Sequence, residues 1–276
     1  MDTIEKALSG MGPGKGRGDN KGGRGSDSGS GGGTGDVDCR LDFQRLRQAG
    51  MITPEDGRTQ IVEEYRRIKR PLLKNVYGGD AVPVAHSNLI GVTSSLPGEG
   101  KTFTAINLAM SIAMELDRTV LLVDADITRS SVISYLDISP RPGLVDYLEG
   151  ASSDLSSLML KTNVPTLTIL PAGSFHPNAT ELLGSHAMRD LTAELSKRYH
   201  DRVVIFDCPP LLVTSEAPIL CGLMGQVVFV VESLSTHQSE VQEALSLMDE
   251  NQTVGLVINK KRGKSKAAYY GKYGMY

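Results

Sequence analysis

Short apolar runs alternate with amphipathic stretches along the chain from residue 88 onward. The runs are nearly continuous, as in Val120-Leu-Leu-Val123 and Val203-Val-Ile-Phe206, which is typical of parallel strands covered on both faces. The pattern predicts strands at 88–93, 119–124, 167–171, 203–207, 226–231 and 254–258, and helices at 101–116, 143–149, 186–199, 215–222 and 236–250. We therefore expect an α/β fold with a doubly wound, mostly parallel sheet.

Two further helices are predicted before this domain, at 41–48 and 59–75. The apolar positions of the second share one face: Ile61, Tyr65, Ile68 and Leu72. Its other face is charged: Glu63, Glu64, Arg66, Arg67, Lys69 and Arg70. Pro71 is expected to kink this helix or to end it. We assign residues 41–80 to a helical segment and residues 81–260 to the α/β domain.

The beginning of the chain has a different composition. Residues 1–36 hold 13 of the 30 glycines, and such a segment buries too little apolar surface to offset its ordering entropy. We expect residues 1–40 to be a disordered arm. Near its start, Ile4, Ala7 and Leu8 are spaced for a short amphipathic turn; an unstructured terminus is an equally good interpretation.

Charge and cysteine content exclude several classes of protein. The net charge of −3 gives no bulk attraction to nucleic acid. Cys39, Cys208 and Cys221 lack the spacing of a zinc site or a disulfide framework. Residues 1–8 lack a signal-peptide core, and the apolar run around 227–231 is too short to span a bilayer. We expect a cytoplasmic protein that meets the inner face of the membrane only through a partner.

Candidate chemistry begins where the first strand meets its helix. The turn contains Pro97, Gly98 and Gly100, and Lys101 and Thr102 follow it. Backbone N–H groups of such a loop and the helix N-terminus bind phosphate, the lysine reaches the β- and γ-phosphates, and the threonine hydroxyl binds Mg²⁺. The usual pattern has glycine at the position of Ser95. The sequence predicts a phosphate-binding loop (P-loop).

Carboxylates follow two other predicted strands. Asp124 and Asp126 end one apolar run, and Asp207 ends another. The carboxyl ends of parallel strands form the ligand-binding edge of such a sheet. Oxygen ligands suit Mg²⁺, and a further carboxylate can orient or deprotonate an attacking hydroxyl. These residues predict a Mg·nucleotide site.

Several of these segments resemble motifs of the bacterial tyrosine kinases (BY-kinases) of polysaccharide synthesis and export. Ser95–Thr102 is similar to the family's Walker A loop, Leu121–Asp126 to its Walker A′ pair, and Val204–Asp207 to its Walker B aspartate. The resemblance extends over about residues 60–276. It includes Asp207–Ala217, where Glu216 stands in place of the usual Asp, and Pro171–Gly173 followed by Pro177–Leu183. The helix at 63–75 looks like the variant found in autokinases that accompany exosortase-linked exopolysaccharide loci.

The resemblance implies a P-loop protein-tyrosine kinase that uses ATP and Mg²⁺ and regulates exopolysaccharide synthesis or export. By this resemblance Lys101 stabilises the transferring phosphate, and Asp124 is both a metal ligand and the candidate base. Asp126 supports that site, and Thr102 and Asp207 hold Mg²⁺. Arg129 is a candidate for the family's arginine, displaced by one residue. The expected nucleotide contacts are Pro97, Gly98, Glu99, Gly100, Lys101, Thr102, Phe103 and Asn259. For Asn259, reading of the adenine edge and a turn-forming role are equally good interpretations.

The end of the chain is rich in tyrosine. Four of the nine tyrosines lie in its last eight residues: Tyr269, Tyr270, Tyr273 and Tyr276. We interpret residues 261–276 as a flexible phosphoacceptor tail, as in BY-kinases; an adhesive aromatic terminus is the alternative. The tail is expected to begin at the end of the last strand opposite to the site, so we predict transfer in trans to a neighbouring subunit.

Expected partners also follow from the resemblance. Glu63-x-x-Arg66-x-x-Lys69 is similar to the family's oligomerisation segment, and a solvated charged helix face is the alternative. The family implies a homo-oligomer, with a ring as the expected form, a separate membrane chain-length regulator of the Wzz type as activator, and a tyrosine phosphatase.

Two other functions stay open at this point. A partition or positioning ATPase has the same superfold but carries a signature lysine where this chain has Leu96. A non-catalytic adaptor of an export complex would use the nucleotide only to control assembly.

Overall fold

A computed structural model describes residues 37–78, 84–198 and 202–261. The strands are β1 (Leu89–Ser94), β2 (Thr119–Asp124), β3 (Leu160–Lys161), β4 (Leu167–Leu170), β5 (Arg202–Asp207), β6 (Gln226–Glu232) and β7 (Thr253–Asn259). The helices are α1 (Phe43–Gln48), α2 (Gln60–Tyr77), α3 (Lys101–Ala113), α4 (Val132–Leu136), α5 (Leu144–Leu148), α6 (Leu155–Leu158), α7 (Ala179–Leu183), α8 (His186–Arg198), α9 (Glu216–Gly222) and α10 (Gln238–Ser246).

The strands form one sheet in the order β3-β4-β2-β5-β1-β6-β7. Every neighbouring pair is parallel except β3 and β4. The expected α/β fold and its six predicted strands are confirmed. Strand β3 was not predicted, because two residues are too short to show a periodic pattern. In the part of the chain that the structure describes, no helix is long and apolar enough to cross a membrane.

Apolar side chains fill both faces of the sheet. On one face, Phe206 and Phe229 lie fully buried against helices α8 and α9. On the other face, Ile90 and Ile205 pack against α2 and α3. Covering on both sides explains why the strand sequences are apolar runs and do not alternate.

The boundary of the predicted N-terminal arm at residue 40 is wrong. Asp38 and Cys39 donate backbone hydrogen bonds to Lys161 O at 3.0 and 3.1 Å, and Cys39 forms a parallel bridge with Thr162. A short polar stretch joins the sheet here because the β3 edge leaves carbonyl groups unpaired. The chain therefore enters the fold at the β3 edge. The remaining arm residues, 1–36, lie outside the described residues.

Helix α2 continues through Pro71 to Tyr77, so the prediction that Pro71 could end the helix is wrong, and the predicted kink stays a prediction. Its second half is held by tertiary contacts: the Gln226 amide donates to Leu72 O at 3.2 Å, and Asn75 donates to Gln226 at 2.7 Å. These contacts offset the hydrogen bond that Pro71 cannot make. Because Tyr65 and Leu72 lie in the same core cluster as α3, segment 41–80 packs as part of the α/β domain.

Lys69 does not lie on the charged outer face where the sequence pattern placed it. It follows Tyr65 by one turn and precedes Leu72 by three residues, so it belongs to the buried stripe of α2. Its Nζ donates to Ser111 O at 2.5 Å and pairs with Glu115 Oε1 at 2.5 Å. Only 5 % of Lys69 is exposed. Lys69 therefore attaches α2 to the C-terminal end of α3.

Replacing Lys69 by alanine is expected to lower the free energy of unfolding by about 1–3 kcal/mol, because the buried Ser111 carbonyl loses its donor. The matched variant is Arg70→Ala, one residue later on the exposed face, which is expected to change stability by about 0.5 kcal/mol or less. Urea denaturation followed by circular dichroism measures both. Equal effects of the two substitutions would contradict the internal role of Lys69.

Candidate functional site

The loop between β1 and α3 forms a phosphate-sized pocket. Gly98 and Gly100 have φ angles of +90° and +100°, which L-residues with side chains rarely adopt, and a Cβ at Gly100 would collide with the Asn259 amide. The pocket measures about 170 Å³ and is lined by Pro97, Gly98, Gly100, Lys101, Thr102, Asp126, Arg129, Ser131 and Tyr135. It lies at the N-terminus of α3, where free N–H groups favour an anion.

Glu99 holds the loop together through its buried carboxylate. One carboxylate oxygen accepts the Leu96 N–H at 2.7 Å, and the other accepts the hydroxyl of Thr236, which precedes α10. The sequence indicated that Glu99 contacts the nucleotide, but in this structure its side chain binds within the loop and to Thr236. No sequence pattern indicated Thr236, because the pairing spans 137 residues.

The end of β7 also supports the P-loop. Asn259 Nδ2 donates to Glu99 O at 2.8 Å, and Lys260 Nζ donates to Gly98 O at 2.6 Å and to Glu232 Oε2 at 2.9 Å. Asn259 thus binds the loop backbone, and its expected contact with adenine stays a prediction. The P-loop is fixed by partners on two separate parts of the chain, the segment before α10 and the end of β7.

Lys101 extends from the loop towards the predicted aspartates. Its Nζ pairs with Asp126 Oδ2 at 2.5 Å. Burial works against the charged ammonium, but the carboxylates of Asp207 and Asp126 outweigh it, so the pKa of Lys101 is raised above its ordinary value. The lysine therefore stays charged where a phosphate would need it.

Asp124 and Asp207 lie side by side because β2 and β5 are paired in that register. Asp124 Oδ2 accepts hydrogen bonds from Ser130 Oγ at 3.0 Å and from Val132 N at 3.2 Å. Burial, followed by repulsion from Asp207, raises the pKa of Asp124 to about 8. Burial also raises the pKa of Asp207 to about 6, although the charge of Lys101 acts in the opposite direction. The two carboxylates destabilise each other in the absence of a cation.

These side chains fit Mg²⁺. Asp124 Oδ1 and both oxygens of Asp207 are buried without a hydrogen bond of normal geometry, and the Thr102 hydroxyl lies near enough to Asp207 to lower that carboxyl's pKa. Within the described ranges, no group of three or more His, Cys, Asp or Glu side chains is arranged to hold a metal alone. That fits Mg²⁺, which usually completes its shell with phosphate and water.

The segment after β2 completes the pocket. Thr128 stands where the family pattern has the arginine that is displaced here to Arg129. Its Oγ1 donates to Asp126 Oδ1 at 3.0 Å, so Thr128 contacts the site. Arg129 and Tyr135 line the pocket beside Lys101. The sequence pattern raised Arg129 as a candidate but gave no signal for Ser130 or Tyr135, because their positions depend on the loop's tertiary path.

Four other features singled out in the sequence have different outcomes. The Phe103 side chain does not line the phosphate pocket; it lines a second pocket with Tyr65 and Ile258. Ser95 is fully buried and its hydroxyl lacks a hydrogen-bond partner. Glu63 and Arg66 form an exposed ion pair of 2.5 Å on α2. The predicted acceptors Tyr269, Tyr270, Tyr273 and Tyr276 lie outside the described residues.

The prediction that the tail begins at the end of the last strand opposite to the site is wrong. Because β7 is parallel to β6 and β6 to β1, its carboxyl end lies at the same sheet edge as the P-loop, as the Asn259–Glu99 contact shows. The tail thus begins beside its own site. Distance therefore gives no argument for transfer in trans.

Known proteins share this arrangement. The family described as "AAA domain" matches residues 87–243. The chain is 34% identical over 194 residues to tyrosine-protein kinase CpsD of Streptococcus agalactiae, which covers 69% of this chain and 82% of CpsD. It is also 34% identical over 185 residues to tyrosine-protein kinase YwqD of Bacillus subtilis, covering 66% and 76% of the two chains. The chain belongs to the bacterial tyrosine kinases.

Further comparisons agree with this family. Tyrosine-protein kinase wzc of Salmonella typhimurium is 31% identical over 198 residues, which are 71% of this chain and 27% of wzc. The crystal structure of the chimerical protein CapA2B2 matches with a TM-score of 0.65 and 25% identity, covering 83% of this kinase and 95% of that chain. The VpsO kinase domain matches with a TM-score of 0.61 and 26% identity, covering 73% and 96%. The expected family and P-loop fold are confirmed.

Replacing Asp124 by asparagine is expected to stabilise the ligand-free kinase, because it removes a buried negative charge beside Asp207 and Asp126. Folding raises the pKa of Asp124, so the folded wild type binds more protons than the unfolded chain between about pH 4 and pH 8 and loses stability as pH rises through that window. The gain in Tm of the variant should therefore grow from pH 6 to pH 8.5, reaching roughly 2–6 °C.

The same variant is expected to lose the rise in Tm that Mg·ADP gives the wild type, because one candidate metal ligand is gone. Differential scanning calorimetry at both pH values measures the two effects. Asp190→Asn, on the exposed side of α8, is the control and should change neither. A lower Tm of Asp124→Asn at every pH would contradict the argument.

Removing the Thr236 hydroxyl is expected to weaken nucleotide binding. Thr236→Val leaves Glu99 without one of its donors and should raise the Kd for ADP by about tenfold, equivalent to about 1.4 kcal/mol. Thr236→Ser keeps the hydroxyl and should bind ADP like the wild type, as should Ser235→Ala. Isothermal titration calorimetry gives the Kd. An unchanged Kd for Thr236→Val would show that ADP binding does not depend on the hydrogen bond from Thr236 to Glu99.

Proposed function

We propose that this kinase transfers the γ-phosphoryl group of ATP to tyrosines 269, 270, 273 and 276 of another copy of the chain, and that this autophosphorylation regulates exopolysaccharide synthesis or export. The observation that carries the proposal is the position of the buried Asp124 and Asp207 carboxylates beside Lys101 and Thr102. Phosphoryl transfer requires mainly positioning and charge stabilisation, and these four side chains provide both.

Each residue has a distinct part in the proposed reaction. Thr102, Asp124 and Asp207 would hold Mg²⁺, and bound Mg·ATP supplies the phosphoryl group and neutralises part of its charge. The P-loop N–H groups and Lys101 bind the phosphate oxygens. Ser130 and the Val132 N–H orient Asp124. As the tyrosine oxygen bonds to the γ-phosphorus and the bond to ADP breaks, Asp124 accepts the hydroxyl proton.

Oligomerisation supports transfer between subunits. Glu63 and Arg66 lie on the exposed face of α2, and we assign that face to contacts in a homo-oligomer, with a ring as the expected form. Lys69, which the sequence placed with Glu63 and Arg66, is not part of this surface because its ammonium is bound inside the fold. An oligomer of this kind would bring one subunit's tail to its neighbour's P-loop.

Partners outside the chain complete the proposal. A membrane protein of the chain-length-regulator type would activate the kinase and hold it at the inner face of the membrane, and a tyrosine phosphatase would reverse the modification. The match with wzc over about a quarter of that protein supports a larger functional unit. Partition-type switching and a non-catalytic adaptor role gain no support from the family of this chain.

The direct test uses two complementary chains. Full-length Lys101→Met keeps the tail but lacks the catalytic lysine, and a chain ending at Ala268 keeps the site but lacks the four tail tyrosines. Each alone with Mg·ATP is expected to give no tail phosphotyrosine. The mixture is expected to give phosphotyrosine on the tail of Lys101→Met, mapped by mass spectrometry.

Other outcomes would overturn specific parts of the proposal. Wild-type tail phosphorylation without any transfer in the mixture would show transfer in cis. ATP hydrolysis by the wild type without phosphotyrosine would indicate a switch. Nucleotide binding without turnover would indicate an adaptor.

A further inference from the structure

An apolar groove runs between helix α2 and strand β7, outside the phosphate pocket. One wall is formed by Ile68, Pro71 and Leu72, and the floor by Val228, Gly255 and Val257. Its cavity measures about 400 Å³. A second cavity of about 380 Å³ continues it towards Phe103 and shares Arg67 and Ile68 with the first. We call the two cavities together the α2–β7 groove.

The groove is open at the edge of the sheet. Among the described residues, β7 pairs only with β6, and no element covers its outer side. Gly255 leaves open space above the floor because it has no side chain: a Cβ built there has its nearest neighbour, Val227 O, at 4.0 Å. A backbone could therefore approach the strand closely at this point. An open groove with this apolar lining is suited to the apolar face of one short amphipathic helix.

One segment outside the described residues has the matching pattern. Ile4, Ala7, Leu8 and Met11 are spaced i, i+3, i+4 and i+7, which places their side chains on one face of a helix. Together with Met1 they are the apolar residues of 1–36. The nucleotide site uses none of them.

Charge also favours this segment. Asp2 and Glu5, three residues apart, would lie together on the polar side of the helix, and Lys6 on the same side leaves the side chains of residues 2–11 with a net charge of −1. The exposed side of α2 next to the groove carries Arg67, Arg70 and Lys74, and none of these three forms an ion pair with another described residue. The tail after residue 261 is the other terminal segment outside the described residues, and its lysines would face the same basic helix.

The connecting chain is long enough. The described chain begins at Val37, and Asp38 pairs with the free edge of β3. It therefore lies seven strand spacings from β7 in the sheet order, which is roughly 34 Å at about 4.8 Å per spacing. Residues 12–36 number 25 and are rich in glycine, and such a linker has a root-mean-square span of about 25–30 Å. Its extended length of roughly 85 Å is well above the required distance, so the segment reaches the groove of its own chain with moderate extension.

We propose that residues 2–11 form a short amphipathic helix that docks in the α2–β7 groove of the same chain, with Ile4 and Leu8 against Ile68 and Gly255. This intramolecular contact is independent of kinase activity. It places the N-terminal segment against α2, the helix that also carries the Glu63–Arg66 ion pair.

Amide hydrogen exchange of the full chain tests the proposal. Residues 2–11 are expected to exchange at least about tenfold more slowly than a free peptide of the same sequence. Leu8→Glu, which places a charge in the groove, and Gly255→Ile, which fills the groove floor, should each abolish this protection. Removal of residues 1–11 should raise the exchange of α2 residues 67–75.

Matched variants separate docking from folding. Ser9→Glu adds the same charge outside the apolar face, and Gly57→Ile adds the same side chain at another glycine with open space; both should keep the protection. If residues 2–11 of the wild type exchange as fast as the free peptide, the proposal is overturned. So would protection that survives both Leu8→Glu and Gly255→Ile, or protection that appears only at high protein concentration, since the latter would indicate a second copy as the host.

Discussion

The packing of a parallel sheet brings more negative charge to one point than the protein itself neutralises. Register pairs Asp124 with Asp207, and Asp126 lies close enough to bind Lys101. Three buried carboxylates thus face one ammonium. Burial, with repulsion among the carboxylates as a smaller cause, raises the pKa values of Asp124 and Asp207. A divalent cation carried with a phosphate removes the excess charge of the carboxylates, so the site gains stability from the ligand that it is built to bind.

The P-loop avoids reorganisation on binding because its shape is fixed by partners outside it. Glu99 is bound through its side chain to Thr236 and through its carbonyl to Asn259, and Lys260 holds the Gly98 carbonyl. These contacts leave the loop N–H groups free to face an anion, which is the requirement for electrostatic preorganisation. They also connect the loop to the residues just before the tail, so the chain that leads to the tyrosine-rich end leaves the fold at a structurally fixed point beside the site.

Local sequence patterns predicted most of the sheet and most of the site. The six longer strands are apolar runs. Asp124 and Asp207 end strands, and Lys101 and Thr102 begin α3, all at the edge of the sheet where such a fold binds ligands. The features that escaped prediction depend on long-range contacts. Thr236 reaches Glu99 across 137 residues, Lys69 turns inward only because α3 offers Ser111 and Glu115, and α2 passes Pro71 because Gln226 holds its second half. The position of the tail was misjudged because the direction of β7 follows from the sheet, which no single strand reveals.

Helix α2 joins these parts of the molecule through three distinct faces. Its buried stripe, which includes Lys69, fixes it to α3 and so to the helix that begins at the P-loop. Its exposed face carries Glu63 and Arg66, and its third face, with Ile68 and Pro71, forms the wall of the α2–β7 groove. Because a helix moves as a rigid body over this length, a displacement imposed on any one face is transmitted to the other two. An occupant of the groove and a neighbouring subunit would therefore act on the same helix, which packs against the helix that begins at the P-loop.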